Sequence, residues 1–226
     1  MPLRRWHLFD DAPGVAREAA GRILNAADRA ISAQGGFSIV LAGGGTPEST
    51  YRLLVDAETD WSKWQVYFGD ERCLPADDAD RNSVMASTAW LDHVSIPGEN
   101  IHRIPAELGA ETAASIYATL IADAVPFDLV LLGMGEDGHT ASLFPGQIHS
   151  NSELAHAIQD APKPPSERVS LSRNALSDCC ELLILVTGAG KQQAVSSWKQ
   201  GENLPVASIG AHDAVDILLD KDASGA

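Results

Sequence analysis

Residues 127–146 read FDLVLLGMGEDGHTASLFPG, and this stretch decides the fold. Leu129 to Leu132 is a short apolar run with no alternation, the pattern of a strand covered on both faces in a parallel sheet. The run breaks at Gly133, Gly135 and Gly138, which interleave with Glu136, Asp137 and His139. In an open α/β sheet the ligand crevice lies beyond the carboxyl ends of the strands, where this loop falls. Glycine there permits positive φ or a close approach of backbone to ligand. An acid two residues from an imidazole can serve as orienter and general base. The stretch therefore reads as a strand followed by an active-site loop.

The segments on either side repeat the alternation of strand and helix. Pro13 to Gln34 predicts a helix, with Asp11 as N-cap, Pro13 in the first turn and Gly35-Gly36 as the stop. Val15, Ala19, Ile23, Ala26, Ala27, Ala30 and Ile31 give it one apolar face. Phe37 to Ala42 reads as a strand. It runs into Gly43-Gly44-Gly45-Thr46-Pro47, with Thr46 expected to cap a helix that starts at Pro47. Such a turn offers free backbone N–H groups and a helix N-terminus to a phosphate, although tight strand-to-helix turns also use glycine without any ligand.

Gln65 to Phe68 is a further strand, ending in Gly69-Asp70-Glu71-Arg72. Three charges directly after a buried strand are placed as a site would be, and equally as a solvated loop with its own ion pair. Asn82 is expected to cap the next helix. Glu107 to Ala124 reads as another helix. Ile148 to Ser166 is polar and carries Pro162, Pro164 and Pro165, so it is expected to be an exposed excursion, a lid or a small subdomain.

Arg168 to Ser172 and Leu182 to Val186 read as strands. The second leads into Thr187-Gly188-Ala189-Gly190-Lys191 and a helix through Trp198. A lysine at a helix start opposes the helix dipole unless an anion sits between the two, or unless the lysine is simply solvated. Pro205 to Ile209 and Val215 to Leu219 read as closing strands, and Asp222 to Ala226 as a loose tail. No internal repeat or low-complexity linker interrupts the pattern. The 226 residues are thus expected to form a single domain, a doubly wound, largely parallel α/β sheet with helices on both faces.

Composition narrows the functional class. A net charge of −15 disfavours nucleic acid and anionic membrane surfaces as partners. A small anionic substrate then requires a locally positive pocket. No apolar run approaches the roughly 20 residues that cross a bilayer. Met1 to Asp11 lacks the apolar core of a secretory signal, so a cytoplasmic protein is expected. Cys73, Cys179 and Cys180 are an odd number with no CxxC or metal-like spacing and read as reduced, structural thiols.

Five segments occur in one order: LAGGGTPESTY, VYFGDERCLPADDADRN, FDLVLLGMGEDGHTASLFPG, ERVSLS and LLILVTGAGK. Through them, from Phe37 to Lys191, the chain resembles the 6-phosphogluconolactonases, relatives of the glucosamine-6-phosphate deaminases. The resemblance implies a Rossmann-like fold and hydrolysis of 6-phospho-D-glucono-1,5-lactone to 6-phospho-D-gluconate, in the oxidative pentose phosphate pathway. It implies no metal and no organic cofactor, a sugar-phosphate lactone as the small-molecule partner, and a monomer or homodimer. It places Gly43, Gly44, Gly45 and Thr46 in the phosphate loop and matches Arg168 and Lys191 to basic phosphate contacts. Asp70, Glu71, Arg72 and Asn82 match the sugar-side segment, and His139 matches the catalytic histidine, with Asp137 beside it.

The chemistry of these residue types agrees. A phosphate dianion calls for N–H donors and cations. Lactone hydrolysis calls for a base that takes a proton from the attacking water and returns one to the departing ring oxygen, which an imidazole can do in turn. The tetrahedral intermediate needs a donor near C1, either Arg72 or a loop N–H. Two positions depart from the family pattern, Gly45 and Arg81, where serine is common. A deaminase would carry a glutamate five residues after the histidine, where this chain has Phe144, a side chain that transfers no proton. A non-catalytic sugar-phosphate sensor would not require Asp137 and His139, and no DNA-binding module accompanies them.

Overall fold

The computed structural model describes residues 3–150 and 152–225; Asn151 and Ala226, which fall within the expected excursion and tail, lie outside it, as do Met1 and Pro2. In chain order the regular elements are β1 (Arg4–Phe9), α1 (Ala12–Gln34), β2 (Phe37–Leu41), α2 (Gly45–Arg52), β3 (Trp64–Phe68), β4 (Asp70–Arg72), α3 (Asn82–Ala89) and α4 (Ala110–Ile121). They continue with β5 (Phe127–Gly133), β6 (Ala155–Ile158), β7 (Arg168–Leu171), α5 (Arg173–Ser177), β8 (Cys179–Val186), α6 (Gln192–Lys199), α7 (Pro205–Ser208), β9 (Ala214–Asp220) and α8 (Lys221–Ser224).

Six strands form one parallel sheet in the order β1-β9-β8-β5-β2-β3, flanked by helices. From β2 the chain steps outward to β3, then returns to the other side of β2 with β5 and proceeds through β8 and β9. The direction of winding therefore reverses between β2 and β5. A crevice opens where neighbouring connections leave in opposite directions, at the carboxyl ends of these two strands. The Gly43–Thr46 turn and the Gly135–His139 loop begin there. The apolar run of β5 is buried on both faces, as its lack of alternation requires. Helix α1 starts as its sequence predicts, with the Asp11 carboxylate accepting from the Gly14 N–H at 2.7 Å, and ends at Gly35 with φ of 81°. Among the described residues no helix is long and apolar enough to cross a membrane.

Several expectations are corrected. Arg4–Phe9, to which the sequence reading assigned no element, is an edge strand, paired in parallel with β9. Its charged side chains conceal it, but they converge on the buried Asp216 of β9: Arg5 and His7 lie at 2.5 and 2.7 Å, and Arg22 of α1 at 3.1 Å. Residues 148–166 are not wholly an exposed excursion. β6 lies within them and joins β4 and β7 in a small antiparallel sheet, β4-β7-β6. The expected helix from Glu107 to Ala124 is divided at Gly109, φ 85°, into a 3₁₀ turn and α4. Pro205 to Ile209 is not a strand: Pro205 opens the one-turn helix α7. The tail carries a turn of helix, α8, capped by the Asp220 carboxylate on the Ala223 N–H at 2.7 Å.

Two buried tyrosines hold the strand ends that shape the crevice. The Tyr51 hydroxyl donates to the Ala42 carbonyl at 2.8 Å and accepts from its N–H at 3.0 Å, directly before the glycine turn. The Tyr117 hydroxyl does the same for Phe68, before Gly69 and Asp70. Burial raises both phenol pKa values, so the groups stay neutral. Tyr51→Phe leaves two buried backbone groups of Ala42 unsatisfied. It is expected to cost about 1–3 kcal/mol in denaturant unfolding, and an unchanged unfolding midpoint would contradict this role.

Candidate active site

A cleft of about 450 Å³ occupies the crevice. One wall is the Gly43–Thr46 turn, another carries Asp70, Arg72 and Asn82, and the third is the loop that leads to His139. Arg168 and Lys191 line it from β7 and from the start of α6. Segments far apart in sequence thus meet at one cleft, where the family resemblance placed them.

The Gly135–His139 loop turns back on itself. The Gly135 N–H donates to the His139 carbonyl at 2.8 Å, and the Gly138 N–H to the Gly135 carbonyl at 3.1 Å, with Gly138 at φ 80°. This brings the Asp137 carboxylate within 2.5 Å of His139 Nδ1 and 3.1 Å of the His139 backbone N–H. Partial burial disfavours the Asp137 charge, but these two hydrogen bonds and the ring outweigh it and hold the carboxyl below its ordinary range. An ionised carboxylate only accepts, so Nδ1 carries the proton and Nε2 is the accepting nitrogen. The ring lines the cleft and packs on Phe144, with centroids 4.7 Å apart. Leu204 and the Val206 N–H, which donates to the Gly138 carbonyl at 3.1 Å, brace the loop from behind. The segment expected as a strand at 205–209 therefore buttresses the loop that carries His139.

Asp70 joins the two halves of the site. Its carboxylate accepts from the Ser142 hydroxyl at 2.6 Å and from Asn82 Nδ2 at 3.1 Å. Burial pushes its pKa up and Glu71 adds to this, against the Ser142 hydrogen bond and the positive Arg72 and Arg168. Asn82 fits only because Gly43 has no side chain: a Cβ there would stand 2.1 Å from Asn82 Oδ1.

Glu71 is placed differently from its expected substrate-side position. It is fully buried, and its carboxylate accepts from the N–H groups of Asn82 and Ser83 at 2.7 and 2.8 Å. It therefore caps α3 from outside the helix, and Asn82, expected as the cap, is its first residue. Arg81 runs to Glu107 at 2.8 Å and the Ile104 carbonyl at 2.7 Å, with its Nε 3.4 Å from Glu71, and beside it Asn82 keeps its Nδ2 contact to Asp70 at 3.1 Å. Thr46 is not the cap of α2 either. The helix starts at Gly45, and Thr46 Oγ1 shares a 2.6 Å hydrogen bond with Thr187, tying the glycine turn to the end of β8. Gly45 is exposed and lines the cleft, with no protein atom near its Cβ position.

The Arg168 guanidinium donates to the carbonyls of Pro165 and Lys163 at 3.1 and 2.9 Å and lies over the Phe144 ring. It thereby ties the Pro-rich segment to the cleft wall. Arg72 Nη1 donates to the Asp80 carbonyl, which fixes its guanidinium at the cleft edge. Burial lowers the Lys191 pKa, helped by Lys163 and opposed by Glu136 and Asp137. Ser142 and Lys163 escaped the sequence reading because a lone hydroxyl and an exposed lysine carry no periodic or spacing signal. Among the described residues, no three His, Cys, Asp or Glu side chains converge to hold a metal ion.

Known proteins match this arrangement. A family model for glucosamine-6-phosphate isomerases and 6-phosphogluconolactonases matches residues 10–218. The chain belongs to this family. A 6-phosphogluconolactonase of Mycobacterium leprae is 35% identical over 238 residues, covering 96% of each chain. A chloroplastic 6-phosphogluconolactonase of Arabidopsis thaliana is 33% identical, covering 98% of this chain and 74% of the relative. The solved structure of the Thermotoga maritima 6-phosphogluconolactonase superposes with a TM-score of 0.91 at 26% identity, covering 97% of this chain and 100% of that one. A monomeric glucosamine-6-phosphate deaminase superposes at 0.85 with 20% identity, a likeness of fold alone.

Within this family scaffold, the His139 ring needs the space above residue 135. A Cβ on Gly135 would stand 2.0 Å from Nδ1, and the clash falls on a side chain that can swing away. Gly135→Ala is therefore expected to fold with a nearly unchanged thermal midpoint while losing on the order of 100-fold in turnover. Near-normal turnover would show that the loop tolerates a different histidine position.

Proposed function

We propose that the chain hydrolyses 6-phospho-D-glucono-1,5-lactone to 6-phospho-D-gluconate, with His139 as general base. The observation that carries the reading is the Asp137–His139 pair at 2.5 Å, on a cleft that is also lined by a glycine turn and Lys191. The relatives and structural neighbours named 6-phosphogluconolactonase support the reaction.

In this reading the phosphate lies against the Gly43–Thr46 turn, where backbone N–H groups and the start of α2 meet the Lys191 ammonium. Arg168 supplies a second cation from β7. The sugar extends toward Asn82 and Asp70 and brings C1 to His139. Nε2 takes a proton as a water oxygen bonds to C1. The tetrahedral intermediate then collapses, the bond from C1 to the ring oxygen breaks, and the imidazolium returns the proton to that oxygen. Asp137 holds the required tautomer and stabilises the imidazolium. Arg72 stabilises the charge that develops on the C1 oxygen.

Phe144 weighs against the deaminase reaction on the same scaffold. Its ring packs on the imidazole at the position where a deaminase carries a glutamate, so beyond Asp137 no further acid from that position supports proton movement along the sugar chain. The test is proton release from freshly generated 6-phosphogluconolactone against the spontaneous rate, with ammonia release from glucosamine 6-phosphate followed in parallel. Accelerated lactone hydrolysis without ammonia is expected. Ammonia without lactone hydrolysis would overturn the assignment, and inactivity in both assays would leave a sugar-phosphate-binding protein.

A further inference from the structure

One cation on the cleft wall has no part in the chemistry above. Lys163 stands in the Pro-rich segment and lines the cleft with Pro164. Its main chain is fixed, since its carbonyl accepts from Arg168 at 2.9 Å, while its side chain is largely exposed. Nζ lies 3.7 Å from the carboxylate of Glu136, also largely exposed, on the catalytic loop. The same carboxylate lies close to Gly190, where an added Cβ would meet Oε1 at 3.1 Å, immediately before Lys191. Two lysines from distant segments thus line the cleft, and the Glu136 carboxylate lies beside one of them and beside the residue before the other.

We propose that Lys163 is a further phosphate-binding residue, and that Glu136 holds it as a latch which the phosphate of the substrate opens. The proposal rests on the reading above, that a phosphorylated substrate lies in this cleft. An exposed lysine–carboxylate pair at this separation contributes little, so exchange costs the protein little. A phosphate dianion offers the ammonium a stronger, charge-assisted contact and can be shared with Lys191. Glu136 is then a competitor: its negative charge both occupies Lys163 and repels the incoming phosphate. In a protein of net charge −15, such a device admits anions that can displace a carboxylate and disfavours neutral sugars.

An ordinary surface ion pair would respond alike to loss of either partner. The latch responds with opposite signs. Lys163→Ala is expected to raise KM for 6-phosphogluconolactone about tenfold. Lys163→Arg should recover most of that loss, and Glu136→Gln should lower KM several-fold below the parent. The ratio of kcat/KM for the phosphorylated lactone to that for glucono-1,5-lactone should fall in the first variant and rise in the last. Changes of the same sign in Lys163→Ala and Glu136→Gln, or none in either, would overturn the proposal. Titration with inorganic phosphate separates this from the reaction itself. If the parent protein hydrolyses no lactone, the proposed reaction fails, yet weaker phosphate binding in Lys163→Ala and tighter binding in Glu136→Gln would still support the latch. Unchanged phosphate affinity in both variants would refute it.

Discussion

The imidazole of His139 and the backbone at residue 135 occupy neighbouring space that admits no side chain between them. This close approach is the constraint on which the site depends. It sets the path of the loop from Gly133 to Ser142, because the chain must reverse within five residues to lay the ring over its own start. Gly138 supplies the left-handed turn, and the backbone hydrogen bonds between Gly135, Gly138 and His139 close it. Asp137 falls between the glycines and reaches both the ring and the amide of His139. The carboxylate and imidazole are thus aligned by local chain geometry, with Leu204 and α7 supporting them from outside.

The remainder of the fold brings groups to this loop. The reversal of winding between β2 and β5 opens the crevice, and two buried tyrosines hold the backbone where β2 and β3 release it. Asp70 connects the wall after β3 to the Gly133–Ser142 loop through Ser142, while Glu71 turns the other way and anchors α3. Adjacent carboxylates in GDER therefore do different work: one faces the cleft and one secures the helix that presents Asn82. An acidic protein gathers four cations on one cleft because Arg72, the Lys163–Arg168 segment and Lys191 arrive from three separate stretches of chain.

Much of this was legible in the sequence because it is local. The both-faces-apolar run of β5, the capped α1 and the glycine turn after β2 each carry their signal within a few residues. The cleft followed from strand-end position, and most of its charged residues followed from their place after strands. What was not legible depends on distant partners. β1 is polar in sequence and becomes a strand because Asp216 gathers its basic side chains. β6 lies in a polar segment and is defined by pairing with β7. Glu71 looked like a substrate ligand because nothing in the sequence shows that its carboxylate meets amides eleven and twelve residues onward. Lys163 was indistinguishable from a solvated lysine until Arg168 tied its segment to the cleft.

The most direct test of the central claim is turnover of 6-phosphogluconolactone by His139→Ala, measured above the spontaneous rate alongside the dissociation constant for inorganic phosphate. General-base catalysis by this residue predicts a loss in kcat of about 10² to 10⁴-fold, with phosphate affinity close to that of the parent. Turnover equal to the parent would contradict it.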